Sequence, residues 1–220
     1  MHDIGFEARR STDSAEVPAR TARPPFRGPP VQRLSWPAAA AAKVDGAMTY
    51  TIRPARTRDV PMIRKLIDCN VESGRLLSKA TVTLYEDVQE FCAAELVDDA
   101  TLVGCGALHV MWEDLAEIRT VAVVPDLRGL GLGHAIVGEL LARARVLGVN
   151  RVFVLTFAVD FFSRHGFQPI SGTPVAAEVY SELLRSYDEG VAEFLDLERV
   201  KPNTLGNARL LLRLLPGRGK

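Results

Sequence analysis

The 220-residue chain is predicted to be an α/β domain. Three stretches lead to that class. Glu117 to Val124 reads as a β-strand that runs through Arg128-Gly129-Leu130-Gly131-Leu132-Gly133 into an amphipathic helix. Cys92 to Val97 and Leu102 to Met111 read as strands joined by the Asp98-Asp99 turn, the second apolar on both faces as a central strand is. Arg151 to Phe157 is a continuous β-rich apolar run that completes a strand-helix-strand unit.

Composition sets the frame for these elements. With 47% hydrophobic and 25% charged residues the chain can bury one sizeable core. Lys+Arg and Asp+Glu both number 27, so no global field favours nucleic acid or an anionic membrane as partner, and anion binding falls to local basic sites. Cys69, Cys92 and Cys105 form no C-x-x-C pair and leave an odd count, which predicts reduced thiols, a cytoplasmic protein and no structural metal. No apolar run approaches the about eighteen residues of a membrane span, and the N-terminus lacks the apolar core of a secretory signal.

Residues 1 to 47 hold six of the thirteen prolines and show no sustained apolar periodicity, so they are expected to form a disordered tail ahead of a domain from Met48 to Lys220. Met48 stands directly before the first strand and could itself be the start codon. Thr49 to Arg53 reads as that strand. Thr57 or Asp59 then caps a helix with Pro61 in its first turn and Ile63, Leu66 and Ile67 facing inward, ending near Gly74. A polar connector, Arg75 to Thr81, leads to a second helix from about Val82 to Phe91. After the cradle helix, whose stripe is Ile136, Val137, Leu140, Leu141, Ala144 and Leu147, Arg143 and Arg145 should be solvated and Gly148 should end the helix. Asp160 is expected to cap a short helix through Phe161 and Phe162 that stops at Gly166. A helix from Ala176 to Tyr187, a strand from Ala192 to Leu197, a loop from Lys201 to Asn207 and a strand from Leu210 to Leu215 close the chain.

The glycine-rich turn reads as a phosphate cradle. A helix start presents unpaired N–H groups and partial positive charge, glycine lets an anion approach the backbone, and Arg128 adds a planar fork of donors. Diphosphate is the natural guest. A dinucleotide fingerprint would need a third glycine where His134 stands and an acidic residue about twenty positions on, whereas Arg151 to Leu155 contains no carboxylate. A P-loop would need Gly-Lys followed by Ser or Thr, which the chain lacks.

Arg128, Gly131 and Gly133, in register after a hydrophobic strand ending at Pro125, match R/Q-x-x-G-x-G/A, and the stretch resembles the acetyl-CoA motif of the GNAT superfamily of N-acetyltransferases. The resemblance implies a GNAT fold: a mixed, mostly antiparallel central sheet with flanking helices and a strand-cradle-helix acetyl-CoA site. It implies acetyl-CoA as cosubstrate, without a metal. Arg128, Gly129, Gly131, Leu132, Gly133 and His134 would hold the diphosphate, and the backbone of Val121 to Val123, with Ala122 between, would pair with the pantetheine arm. Glu117-Ile118 followed by Thr120-Val121-Ala122-Val123 resembles the GNAT strand whose glutamate is the general base, a role carried to Glu117. Phe161 to Phe167 resembles the segment that often places a tyrosine four residues before the glycine, as acid for the departing thiolate. Phe162 stands there and has no transferable proton, so it is retained as a cofactor contact and the acid is unassigned. His165 reads as a surface cap and His109 as a satisfied core residue.

The run from Thr51 to about Leu212 is similar to short, stand-alone amino-acid N-acetyltransferases related to bacterial N-acetylglutamate synthase, through Gly104-Cys105-Gly106-Ala107-Leu108, Val152-Phe153-Val154-Leu155-Thr156 and Lys201-Pro202-Asn203-Thr204-Leu205-Gly206-Asn207. It departs from longer relatives in lacking a preceding amino-acid kinase domain, which 47 residues cannot supply. The resemblance implies acetylation of glutamate or glutamine at the α-amino group, in the first step of arginine biosynthesis. Arg119, two residues after Glu117 on one strand, would put a carboxylate-binding fork beside the base, and Lys79, Asn207 and Arg209 would close on the other end of a small substrate. Two other readings stay open: an acetyl-CoA-binding sensing module without turnover, and an enzyme whose acceptor is a protein N-terminus or lysine. A homodimer is also left open.

Overall fold

Strand β1 (Ala42–Val44) begins a sheet that continues through β2 (Met48–Pro54), β3 (Phe91–Leu96), β4 (Leu102–Trp112) and β5 (Leu115–Val123) as successive antiparallel neighbours. The chain then crosses over through α3 (Leu132–Val146) to β6 (Arg151–Thr156), which pairs parallel to β5. Next to β6 lies β8 (Ala208–Arg213), with the two-residue β7 (Gln168–Pro169) on its far side. The computed structural model describes residues 42–44, 48–72, 76, 78–197 and 207–214. Among these, eight strands form one sheet in the order β1-β2-β3-β4-β5-β6-β8-β7, mixed and mostly antiparallel as expected. Val44 pairs with Met48, so the stretch assigned to a tail contributes an edge strand.

Period-two alternation sends side chains to two cores. On one face Ile136, Val137, Leu140 and Ala144 of α3 pack with Cys92, Ala94, Leu108 and Ile118. On the other, Ile63, Leu66 and Ile67 of α1 (Val60–Glu72) and Leu84 of α2 (Thr81–Glu86) pack with Phe91, Ala93, Cys105, Ala107 and Ala122. A third cluster under α5 (Ala177–Leu183) and α6 (Glu189–Phe194) gathers Phe153, Leu183, Val191 and Phe194. No helix of the described residues is long and apolar enough to cross a membrane.

Several elements differ from expectation. Ala192 to Leu197 is not a strand: α6 occupies Glu189–Phe194, and the Asp188 side chain caps it by accepting the Val191 N–H at 3.0 Å. Val191, Ala192, Phe194 and Leu195 recur at helical spacing, and a short apolar run without its cap is ambiguous by pattern alone. Phe91 opens β3 rather than closing a helix, because the second helix breaks at Asp87 into a 3-10 turn over Val88–Glu90. Leu147 is 46% exposed as the cap residue of α3, outside the buried stripe. Arg143 donates to the carbonyls of Gln89 and Glu90 instead of pointing into solvent. Asp160 lies inside α4 (Val159–Ser163), whose cap is Ala158. The Lys201 loop falls outside the described residues, apart from Asn207.

Two glycines set how closely α3 lies on the sheet. A Cβ on Gly106 would stand 2.7 Å from Ile136 Cγ2 and 3.0 Å from Leu140 Cδ1, and one on Gly104 would stand 2.8 Å from Ile136 Cδ1. Such overpacking typically costs about 1–3 kcal/mol. Gly106→Ala is therefore expected to lower stability by about that amount, read as a lower denaturant midpoint at unchanged m-value. Unchanged unfolding would mean that α3 rides freely on the sheet.

Candidate active site

The site begins where two parallel strands part. β5 and β6 are paired over Leu115–Glu117 against Arg151–Phe153, and no β5–β6 ladder is present beyond. On its other edge β5 pairs Ala122 with Cys105 but Arg119 with Ala107, so Thr120 and Val121 together oppose Gly106. This is a β-bulge, and Thr120 takes up the extra residue with φ +60, a conformation that a β-branched side chain rarely adopts. The bulge bends β5 just beyond Glu117, where its pairing with β6 ends. Between them opens a cavity of roughly 1030 Å³ that extends from Glu117 to the glycine turn.

Glu117 is the last ladder residue and lines this cavity at 5% exposure. Its Oε2 is buried without a hydrogen-bond partner, and the Arg119 Nη1 at 4.0 Å is too far to supply one. Burial raises its pKa to about 7, with Arg119 pulling down, Asp188 pushing up, and His109 and Lys79 lowering it further. A buried carboxylate with a pKa near 7 is suited to take a proton. Gly190 of α6 allows this approach: a Cβ there would lie 2.9 Å from Glu117 Cδ and collide with Oε2.

Arg119 also lines the cavity, but its guanidinium is already engaged. It donates to Asp188 and Glu90 at 2.9 Å each and lies 3.5 Å from Asp87. Glu90 in turn meets His109 Nδ1 at 2.6 Å. Burial opposes a proton on His109, yet the Glu90 hydrogen bond with the Glu90 and Asp188 charges outweighs it and raises the pKa. His109, expected to be a satisfied core residue, is thus part of a half-buried charge network behind Glu117. Sequence reading missed Asp188, Glu90 and Gly190. Asp188 is legible as the cap of a helix, but its pairing with Arg119, 69 positions away, is not.

At the other end of the cavity, Gly129 and Gly131 have φ +80 and +86, and a Cβ on either would meet nothing within 4 Å. That open, left-handed turn leads into α3 and leaves its first backbone groups facing the cavity wall formed by Arg128, Gly131, Gly133 and His134. Arg128 donates to Asn70 Oδ1 at 3.0 Å, and Asn70 donates to the Leu66 carbonyl, so the C-terminal part of α1 holds the cradle arginine. Asn70 carried no signal in the sequence beyond a polar residue on the face of α1 that also holds Ile63, Leu66 and Ile67.

The remaining expected residues divide. Val121, Val123, Phe162, Lys79 and Asn207 line the cavity. Phe162 packs edge-on against Phe161 and Phe167, with centroids 5.0 and 5.4 Å apart. Ala122 and Leu132, expected to contact the cofactor, bury their side chains in the cores and do not line the cavity. Arg209 does not line the cavity. It donates to the Gly172 carbonyl at 3.2 Å and to the Phe194 carbonyl, and pairs with Asp196 at 3.4 Å, fastening β8 to the end of α6.

The profile of the acetyltransferase (GNAT) family matches residues 61–167. An amino-acid acetyltransferase of Mycobacterium tuberculosis is 62% identical over 165 residues, which are 74% of this chain and 94% of that protein. A crystal structure of a Mycobacterium tuberculosis protein in complex with CoA aligns at 62% identity and TM-score 0.71, covering 74% of this chain and 99% of the other. N-acetylglutamate synthase from Neisseria gonorrhoeae, complexed with coenzyme A and N-acetyl-glutamate, aligns at 27% identity and TM-score 0.60 over 76% of this chain and 35% of the synthase. Fold, cradle and sequence likeness coincide on the same residues, and the chain belongs to the acetyltransferase (GNAT) family.

Proposed function

We propose that the chain transfers the acetyl group of acetyl-CoA to the α-amino group of free glutamate or glutamine, as in the first step of arginine biosynthesis in the cytoplasm. The Glu117 carboxylate carries this reading: it is buried, has an unpaired oxygen and a pKa of about 7, and faces the cavity where β5 and β6 part. The name of the 62% identical relative and the CoA-bound structures support it.

In this reading the diphosphate of acetyl-CoA lies over the cradle, with Arg128 and backbone N–H groups as donors. The pantetheine arm runs along the edge of β5 that β6 vacates, as an added strand, and a β5 N–H near the bulge meets the thioester oxygen as charge develops there. The amine nitrogen attacks the thioester carbonyl. A C–N bond forms, the C–S bond breaks, the thiolate departs, and Glu117 takes the proton that nitrogen loses. Phe162 offers no proton, and a thiolate leaves without one more readily than most groups. Lys79 and Asn207, which line the cavity, hold the substrate carboxylate in this reading. Arg119 chiefly balances the acids around Glu117, and a substrate reaches its fork by displacing Asp87, its most distant hydrogen-bond partner at 3.5 Å.

The acceptor is tested by thiol release across the twenty amino acids. Glutamate and glutamine are expected to lead, aspartate to be weaker, and lysine to be inert. Acetylation of peptides but of no free amino acid would replace this acceptor while leaving the cradle in place.

Glu117→Gln is expected to lower turnover at pH 7 by about two to four orders of magnitude with acetyl-CoA affinity nearly intact. Wild-type kcat/KM should rise with pH through an acid limb near 7, which the variant lacks. Stability gives a second readout. A carboxyl whose folded pKa is raised from 4.5 to about 7 contributes stability that is full below 4.5 and lost as pH rises through 7. Relative to wild type, the melting temperature of the variant should therefore improve from pH 5 to pH 8. Wild-type turnover in Glu117→Gln would remove the carboxylate from the mechanism.

A further inference from the structure

Two histidines meet beside the cradle, and no step above uses their contact. His134 is the third residue of α3 and lines the cavity with Gly131, Gly133 and Arg164. Its ring stacks on Phe161, with centroids 4.5 Å apart and planes at 29°, and its Nδ1 lies 2.8 Å from His165 Nε2. His165 follows α4 in the turn before Gly166. It stands edge-on to the same phenyl ring, at 5.6 Å and 61°, and does not line the cavity. The contact consumes the Nδ1 edge of His134, which leaves the Nε2 edge for the cavity.

We propose that His165 is a positioning residue for the diphosphate of acetyl-CoA: it orients His134 so that Nε2–H points at the anion, and the pair takes up one proton as the cofactor binds. The proposal rests on the reading of the glycine turn as the acetyl-CoA site. Tautomer logic gives the direction. If His165 donates Nε2–H to Nδ1 of neutral His134, the other His134 nitrogen carries its hydrogen and is a donor. If the neutral pair bonds the other way, that nitrogen presents a lone pair, which a phosphate repels. A protonated His134 donates through both nitrogens, to His165 behind and to the anion in front. An anion therefore selects the donor states and favours the protonated one.

The surroundings make this uptake depend on the ligand. Arg128 from the cradle and Arg164 at the end of α4 line the same cavity as His134, so an anion bound there is met by cationic side chains from both elements. The cavity carboxylates Asp87, Glu117, Asp188, Glu189 and Glu193 come from β5, α6 and its cap, and the turn after α2, not from the cradle or α4. Behind the turn a Cβ on Gly166 would meet the apolar Leu212 of β8 at 3.3 Å. Burial first, and then the charge of His134, lowers the pKa of His165, so the pair holds one added proton and not two.

The test is calorimetry of the full chain with dephospho-coenzyme A, in two buffers of different ionisation enthalpy, between pH 6 and 8. That ligand keeps the diphosphate but lacks the 3′-phosphate, whose own ionisation near pH 6 would obscure the count. Wild type is expected to take up a substantial fraction of a proton near pH 7 and to bind about tenfold more tightly at pH 6 than at pH 8, the ratio between a charge-assisted and a neutral hydrogen bond. His165→Gln and His134→Gln should lose the uptake and flatten the profile. Glu117 titrates in all three proteins and cancels in the comparison. Zero uptake by wild type, or an equal pH slope in folded His165→Gln, overturns the proposal while the cradle stands. Uptake with coenzyme A but none with dephospho-coenzyme A also overturns it, by assigning the pair to the 3′-phosphate. Failure of wild type to bind either ligand would remove the cradle reading as well.

Discussion

The parting of β5 and β6 after Glu117 is the constraint on which the rest of the site depends. A continuous parallel ladder would place β6 against the edge of β5 and leave no room for a ligand between them. Instead the ladder stops at Glu117 paired with Phe153, and the bulge at Thr120 bends β5 just beyond. The unpaired edge of β5 becomes the cavity wall, and α3 starts directly after it with its N-terminal groups turned to the same space. One break in strand pairing thus creates the cleft, exposes backbone along it and sets Glu117 on its wall.

That position imposes an electrostatic cost, and the network around Arg119 moderates it. A single arginine beside Glu117 would hold the carboxylate ionised and a poor proton acceptor. Asp188, Glu90 and Asp87 share the Arg119 charge, so burial dominates and Glu117 stays near neutrality. Asp188 couples this balance to the fold, because one carboxylate both caps α6 and binds Arg119. Gly190, two residues on, lets the same helix start close over Glu117.

The two ends of the cavity are joined mechanically as well. Asn70 ties the Arg128 cradle to α1, and α1 leads into the connector that carries Lys79 on the cavity wall. Gly104 and Gly106 let α3 sit close on β4, which fixes the cradle relative to the bulged part of β5. Small residues in the middle of the sheet therefore control geometry at its open end.

Local chemistry made much of this legible in the sequence alone. Apolar periodicity located the central strands and the face of α3, and the spacing of Arg128, Gly131 and Gly133 after a hydrophobic strand marked the cradle, because left-handed turns and anion approach demand glycine wherever they occur. The same reading started that strand at Glu117, whereas β5 begins two residues earlier, at Leu115. What only the tertiary structure decided are relations between distant groups: that Arg119 is occupied by three acids from two other segments, that Arg209 fastens β8 rather than facing a substrate, that Asn70 holds Arg128, and that His165 stands behind His134. The strand expected at Ala192 to Leu197 failed for a related reason, since its short apolar run fits either period until the cap at Asp188 and the packing of Phe194 on Phe153 select the helix. A backbone preference acts through neighbours in sequence and can be read there, whereas the charge state and partner of a buried side chain depend on which segments the fold brings within a few ångströms of it.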